Sequence, residues 1–260
     1  HLKFITYLAH PLLRADNTHS MSPLLAEFIG TTLLLLLGCG VNANVSLKGT
    51  YGNSSGWIVI AFGWAMAVFV GVFVAAEASG AHLNPAVTLA LVVAGKFDVA
   101  LMPGYVLAQV VGGITGATLA WLQYRPHYAV EEDQATILGT FATGPAIKDT
   151  PSNFMSEVLA TCAFVVAVLF LTAPNLGTPD GKLGSLDALP VAIVVLAIGL
   201  SLGGTTGYAI NPARDLGPRI AHAILPIPGK GGSNWRYAWI PIAGPLLGAG
   251  LAAFLYGVIN

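Results

Sequence analysis

Two stretches decide how this chain is read: "SGAHLNPAVTL" at residues 79–89 and "TGYAINPARDL" at 206–216. They align at an offset of 127 residues, and each centres on Asn-Pro-Ala: Asn84, Pro85 and Ala86, then Asn211, Pro212 and Ala213. Asn is a favoured helix N-cap and Pro suits the first helical position, so each pair reads as a helix start. A single Asn-Pro-Ala is more often a surface turn. Two, at matched places, argue for a built site. The second copy adds Arg214 where the first has Val87.

The match extends outward from these two centres. "AEFIGT" (26–31) aligns with "SEVLAT" (156–161), pairing Glu27 with Glu157, and "AQVVGG" (108–113) aligns with "GPLLGA" (244–249). The chain is 55% hydrophobic and only 9% charged, which is too little charge to cover a soluble surface. Stretches free of Asp, Glu, Lys and Arg run over 28–47, 49–76, 99–124, 158–179, 188–213 and 237–260. Each holds or nearly fills the ~20 residues that cross a ~30 Å hydrocarbon core. Six spanning helices are predicted, at 22–42, 57–76, 101–123, 153–173, 187–205 and 237–258.

Each copy then has three crossings, an odd number, so the second enters from the opposite face and is inverted. Inverted repeats place their shared site near the midplane on broken helices. From Asn84 to Ala94 and from Asn211 to Ala223 is ~16–20 Å of helix, about half a membrane. The predicted organisation is a tail at 1–21, a first repeat at 22–123, a connecting loop at 124–152 over the pore mouth, and a second repeat at 153–260. The fold class is therefore all-α integral membrane, with six transmembrane helices and two half-helices.

Two half-helices meeting head-on concentrate about +0.5 charge each at the midplane. With each Asn oxygen used as a cap, its NH₂ is left to donate into the lumen. Such a site attracts the lone pairs of water or hydroxyl oxygens and repels cations and protons. Arg214 stands in the first turn, where the dipole disfavours it, and facing lipid it would cost about 2.5 kcal/mol or more. A lumen-facing Arg that donates to solute oxygens resolves this. Asp215 and Arg219 are spaced for a local ion pair.

These residues resemble the aquaporin family, the major intrinsic proteins, over about 22–258. The resemblance implies a homotetramer with a separate pore in each subunit and an aromatic/arginine constriction outside the Asn-Pro-Ala pair. Carried over by position, that constriction is Trp64, Gly199, Tyr208 and Arg214. Gly199, "RDLGPR" and "IPIAGP" with Pro241 resemble the glycerol-facilitator branch, because water-selective members carry a histidine at the position of Gly199. Gly199 is expected to widen the ring, Trp64 and Tyr208 to form an apolar corner, and Arg214 to bind hydroxyls on the opposite wall. Phe62, in "AFG", is the competing aromatic and would point to a water-selective channel. Glu27 and Glu157 are expected to hold the half-helix loops, with His82 at the cytoplasmic mouth and Asp215 as further support for the pore loop. Trp57, Trp121 and Trp239 read as interfacial or core aromatics.

The function this implies is passive conduction of glycerol, water and related small neutral solutes across a cell membrane, with ions excluded. No enzymatic activity, cofactor, metal or nucleic-acid partner is expected, since net charge is −1 and the two cysteines lack ligand spacing. Cys39 and Cys162 read as free thiols. A coupled secondary transporter would use Glu27, Glu157 or Glu77, and nothing else suits it. "GNSSG" (52–56) fits a hydrolase pattern but lies between spans, without its strand–turn–helix context. Asn44 and Asn53 fit the glycosylation pattern. Gly112/Gly116, Gly199/Gly203 and Gly244/Gly248 permit close helix crossings. Both termini are placed in the cytoplasm by resemblance, because Lys and Arg show no clear loop bias.

Overall fold

A computed structural model describes residues 21–171 and 183–260, and those residues form helices and connecting turns with no strand among them. The first repeat contains α1 (Pro23–Ser46), α2 (Trp57–Ser79), the half-helix α3 (Pro85–Val93) and α4 (Met102–Val130). A short helix, α5 (Gln134–Phe141), lies in the connection. The second repeat contains α6 (Thr150–Phe170), α7 (Leu189–Leu202), the half-helix α8 (Pro212–Ile224) and α9 (Ile240–Ile259). Six of these helices, with short 3₁₀ entries to α4 and α7, are long and apolar enough to cross a membrane. Residues 1–20 of the predicted tail and residues 172–173 of the predicted fourth span lie outside the described residues.

The predicted loop at 124–152 is less of a loop than its polarity suggests. The helix α4 runs through Arg125 and Pro126 to Val130 because Tyr128 is buried against Phe141, with its hydroxyl 2.7 Å from Thr140 Oγ1. Asp133 then caps α5 by accepting from the amides of Ala135 and Thr136. At the other end of the chain, α9 starts at Ile240, three residues later than predicted, after a turn at 235–239.

Small residues set the closest crossings. A Cβ on Gly112 would sit 2.7 Å from the Phe28 carbonyl of α1, and one on Gly244 would sit 2.7 Å from Glu157 Cβ of α6. So α4 packs on α1 and α9 on α6, the same pairing in each copy. The half-helices are exchanged: α3 packs on α9 of the second copy and α8 on α4 of the first. At the latter crossing, Gly217 meets Gly113 so closely that a Cβ would come within 2.9 Å of backbone. Each repeat is incomplete without the other, and that brings both Asn-Pro-Ala turns to one place.

Candidate functional site: a pore between two half-helices

Asn84 and Asn211 are both N-caps, in extended conformation, with side-chain oxygens accepting from Ala86 N and from Ala213 and Arg214 N respectively. Each carboxamide also crosses the midplane. Asn84 Nδ2 donates to the Ile210 carbonyl and Asn211 Nδ2 to the Leu83 carbonyl, both at 2.8 Å. The NH₂ groups are thus not free for the lumen as the sequence suggested. One hydrogen of each ties the two copies together, which leaves the second for a solute.

The loops before the asparagines are strained in the same pattern. Gly80 and Gly207 have φ of 80° and 81°, Ala81 and Tyr208 of 50° and 37°, Leu83 and Ile210 of 49° and 44°. A non-glycine residue in this region costs about 1–2 kcal/mol and persists only where its surroundings over-determine it. The buried carboxylates do that here. Glu27 accepts from Ser79 Oγ (2.7 Å), His82 N (2.9 Å), Leu83 N (2.7 Å) and Gln109 Nε2 (2.7 Å). Glu157 accepts from Thr206 Oγ1 (2.6 Å), Ala209 N (3.0 Å) and Ile210 N (3.1 Å). With the amides turned to the glutamates, the carbonyls of Ala81, His82, Tyr208 and Ala209 accept no hydrogen bond from the described residues. All four residues line a cavity of about 300 Å³ whose far wall is apolar, including Leu34, Val72 and Phe164.

A second cavity of about 270 Å³ lies on the α5 side, lined by Asn42, Trp57, Thr143 and Pro145 among others. The two cavities share three lining residues, Trp64, Tyr208 and Arg214. These three, with Gly199 behind Tyr208, bring the four sequence-selected ring positions to one level. Their arrangement differs from the expected opposition of walls. The Arg214 guanidinium lies 3.8 Å from the Trp64 ring centroid, and its Nη1 donates to the Phe141 carbonyl at 3.3 Å. A desolvated cation gains about 2 kcal/mol on an indole face, which offsets part of the cost of its burial at 6% exposure. Gly199 does not leave open space either. A Cβ there would be 2.9 Å from Tyr208 Cζ, so the tyrosine ring occupies the room the glycine vacates.

Phe62 is 52% exposed, on the outer surface with Val41 and Ile58, away from both cavities. Its turn of α2 faces outward, two residues from inward-facing Trp64, and its ring lines neither cavity. His82 lines the larger cavity, with Nδ1 3.1 Å from Thr88 Oγ1 and its ring against Phe97 and Tyr105. Glu77 is exposed on α2 and lines neither cavity. Cys39 and Cys162 are free. "GNSSG" forms a turn in which Asn53 Nδ2 donates to the Leu47 carbonyl and Asn44 Oδ1 accepts from Gly52 N.

Asp215 and Arg219 form a fully buried pair, Nε to Oδ1 at 2.7 Å. It is more than local. Arg219 donates to the carbonyls of Thr143 and Ser233, and Asp215 accepts from the amide and hydroxyl of Thr143, so two loops are pinned onto α8. Sequence reasoning missed Gln109, Thr143 and Asn42, polar residues in apolar or loop settings. It also assigned Trp57 to the bulk of interfacial aromatics. Trp57 Nε1 donates to the Gly199 carbonyl at 2.9 Å, and its ring meets Tyr208 edge-on at 5.8 Å. A repeat search could not find these four, since none recurs in the other copy's motif.

Six spanning helices enclosing two head-to-head half-helices, with a cavity on each side of a narrow ring, define a membrane channel architecture. The chain matches the family model "Major intrinsic protein" over residues 14–256. It is 53% identical over 238 residues to the "Glycerol uptake facilitator protein" of Streptococcus pneumoniae, covering 92% of this chain and 99% of the relative. The protein of that name from Bacillus subtilis is 49% identical over 236 residues, covering 91% and 84%. Among solved structures, the aquaglyceroporin from Plasmodium falciparum superposes with a TM-score of 0.75 at 30% identity, covering 90% of this chain and 94% of that one. The chain belongs to the major intrinsic protein family.

Proposed function

We propose that this protein is a passive transmembrane channel for glycerol and related small neutral solutes, conducting water as well and excluding ions and protons. The observation that carries the reading is the single narrow level between two cavities, where Arg214 faces solute and Trp64 and Tyr208 supply aromatic surface. A polyol has a hydroxyl edge and a CH edge. The guanidinium offers several N–H donors beyond the one given to Phe141, the loop carbonyls offer acceptors, and the aromatic rings accept the CH edge. The names of the similar proteins, which specify glycerol uptake and an aquaglyceroporin, support the same solute class.

Cations meet three obstacles at this point: the Arg214 charge, the two half-helix N-termini, and the loss of their hydration shell. Protons hopping along a water file meet the same field. The protein acts as a homotetramer of independent pores, with both termini on the cytoplasmic side. An even number of spans supports termini on one face, and with that face cytoplasmic the His82 cavity opens inward.

Stopped-flow light scattering on liposomes containing the purified full chain tests this reading. Expected are fast water efflux in a sucrose gradient and fast glycerol entry in a glycerol gradient, neither altered by proton or sodium gradients. Fast water flux without glycerol flux would overturn the solute assignment, and gradient-driven glycerol accumulation would overturn the channel.

A further inference from the structure

Asn42 sits in the middle of α1's outer half, 7% exposed, in a helix that is apolar or small apart from Glu27 near its start, two threonines, and Asn44 and Ser46 near its end. Both ends of its carboxamide are used. Its Oδ1 accepts from Trp64 Nε1 at 3.0 Å, and its Nδ2 donates to the Gly139 carbonyl at 3.3 Å. Gly139 lies in the last turn of α5, where carbonyls have no partner within the helix. The Phe141 carbonyl, two residues on, accepts from Arg214. One helix end thus anchors both members of the Trp64–Arg214 stack, the arginine directly and the indole through Asn42.

We propose that Asn42 is a positioning residue that sets the channel's preference among solutes, by holding the Trp64 N–H away from solute and fixing the indole to the segment that holds Arg214. This rests on the assignment of Trp64 and Arg214 to the narrow level. With its N–H occupied, the indole presents only carbon and π surface, and solute hydroxyls take their donors from Arg214. Without Asn42, a buried indole N–H is left unpaired. It then turns toward the lumen or captures a solute oxygen, and the apolar corner for CH groups is lost. Water tolerates that change; a polyol that must present both edges at once does not.

The experiment uses the full chain in liposomes, comparing water and glycerol permeability for the unaltered protein, Asn42→Leu, Asn42→Asp and Trp64→Leu. A 5-fluorotryptophan ¹⁹F spectrum, with the Trp64 signal assigned by its loss in Trp64→Leu, reads the indole itself. In Asn42→Leu the glycerol-to-water permeability ratio is expected to fall about fivefold or more, the scale of one net hydrogen bond, and the Trp64 resonance to move. In Asn42→Asp, which keeps the acceptor, the Trp64 resonance is expected to stay in place. An unmoved resonance in Asn42→Leu, or an unchanged ratio while Trp64→Leu alters it, overturns the role of Asn42. An unchanged ratio in Trp64→Leu overturns the filter assignment instead. Asn42→Ser, too short to reach both partners, is read in the same way if the leucine variant does not insert.

Discussion

After Asn84-Pro85-Ala86 the first half-helix continues with Val87 and Thr88; after Asn211-Pro212-Ala213 the second continues with Arg214 and Asp215. Up to that point the two loops are built alike. A glycine at positive φ, two strained residues, a hydroxyl on a buried glutamate and a capping asparagine recur in each. Beyond it they diverge. The first loop is backed by a neutral network, Gln109 to Thr88 to His82, and its half-helix carries no charge. The second is backed by the buried Asp215–Arg219 pair, which clamps two loops, and it delivers Arg214 to the narrow level. The shared parts make the junction of two converging helix ends. The unshared parts are where the proposed selectivity would reside, since only the second copy brings a cation to Trp64 and Tyr208. Inversion separates these tasks, because equivalent residues of the two copies end up on opposite faces.

The largest test of this division removes what only the second loop has. Arg219→Met leaves Asp215 as a buried charge without its cation and removes the arginine's bonds to the Thr143 and Ser233 carbonyls. A loss of about 3–5 kcal/mol is expected, since breaking a buried pair strands the remaining ion. Denaturant unfolding in detergent reads it, and a change below about 0.5 kcal/mol, the range of ordinary surface substitutions, would show that the clamp is dispensable.

Next comes the shared device. Glu27→Gln and Glu157→Gln each turn an NH₂ toward amide and hydroxyl donors. About 2–3 kcal/mol is expected from each, the scale of losing charge-assisted hydrogen bonds. Glu27 is expected to be the costlier site, since it serves four donors and Glu157 three. The reverse order in unfolding experiments would break the parallel between the two loops.

Exchanging the divergent residue comes third. Arg214→Val gives the second half-helix the residue of the first. A cation leak absent from the unaltered protein is expected, with glycerol permeability lowered about tenfold, the loss of roughly one charged hydrogen bond to the solute. Val87→Arg is expected to block all flux without creating a second filter. Ion flux and stopped-flow scattering distinguish these outcomes. A smaller, purely steric effect is expected from Gly199→Ala, whose new Cβ must displace the Tyr208 ring. Glycerol flux falls more than water flux, and trimming the ring in Gly199→Ala/Tyr208→Leu restores it.

The smallest effect belongs to pH and lies outside both loops. The Thr136 hydroxyl and the amides of Ala135 and Thr136 hold the Asp133 carboxyl below its usual range. A depressed carboxyl stabilises its cap above the unfolded pKa of about 3.9, and that contribution is lost as pH falls through the lower folded value. Hydrogen-exchange protection across 134–141, taken relative to the intrinsic rate at each pH, is expected to hold at neutral pH and to fall only in that acid window. Protection that falls near neutrality would mean another group controls this helix.

The spans, the inverted repeat and the two helix starts were legible because each is a local or periodic signal: apolar length, a motif repeated at a fixed offset, and capping chemistry within four residues. The paired glutamates were legible for the same reason, since they recur with the repeat. What surrounds the narrow level was not. Trp57, Asn42, Gln109 and Thr143 act through partners between 21 and 142 residues away, and none of them recurs in the other copy to mark it. The continuation of α4 through Pro126 was equally hidden, since the burial of Tyr128 outweighs a local helix breaker. The choice of Trp64 over Phe62 came from the family resemblance, which places the constriction aromatic twenty residues before Asn84; α2 ends at Ser79, so no continuous helix carries that register. That the indole lies on the arginine, and that the tyrosine fills the glycine's space, was settled only when side chains from α2, α7, α8 and both loops competed for the same volume. Sequence determines which groups are available at the midplane; tertiary packing determines which faces they turn to a solute.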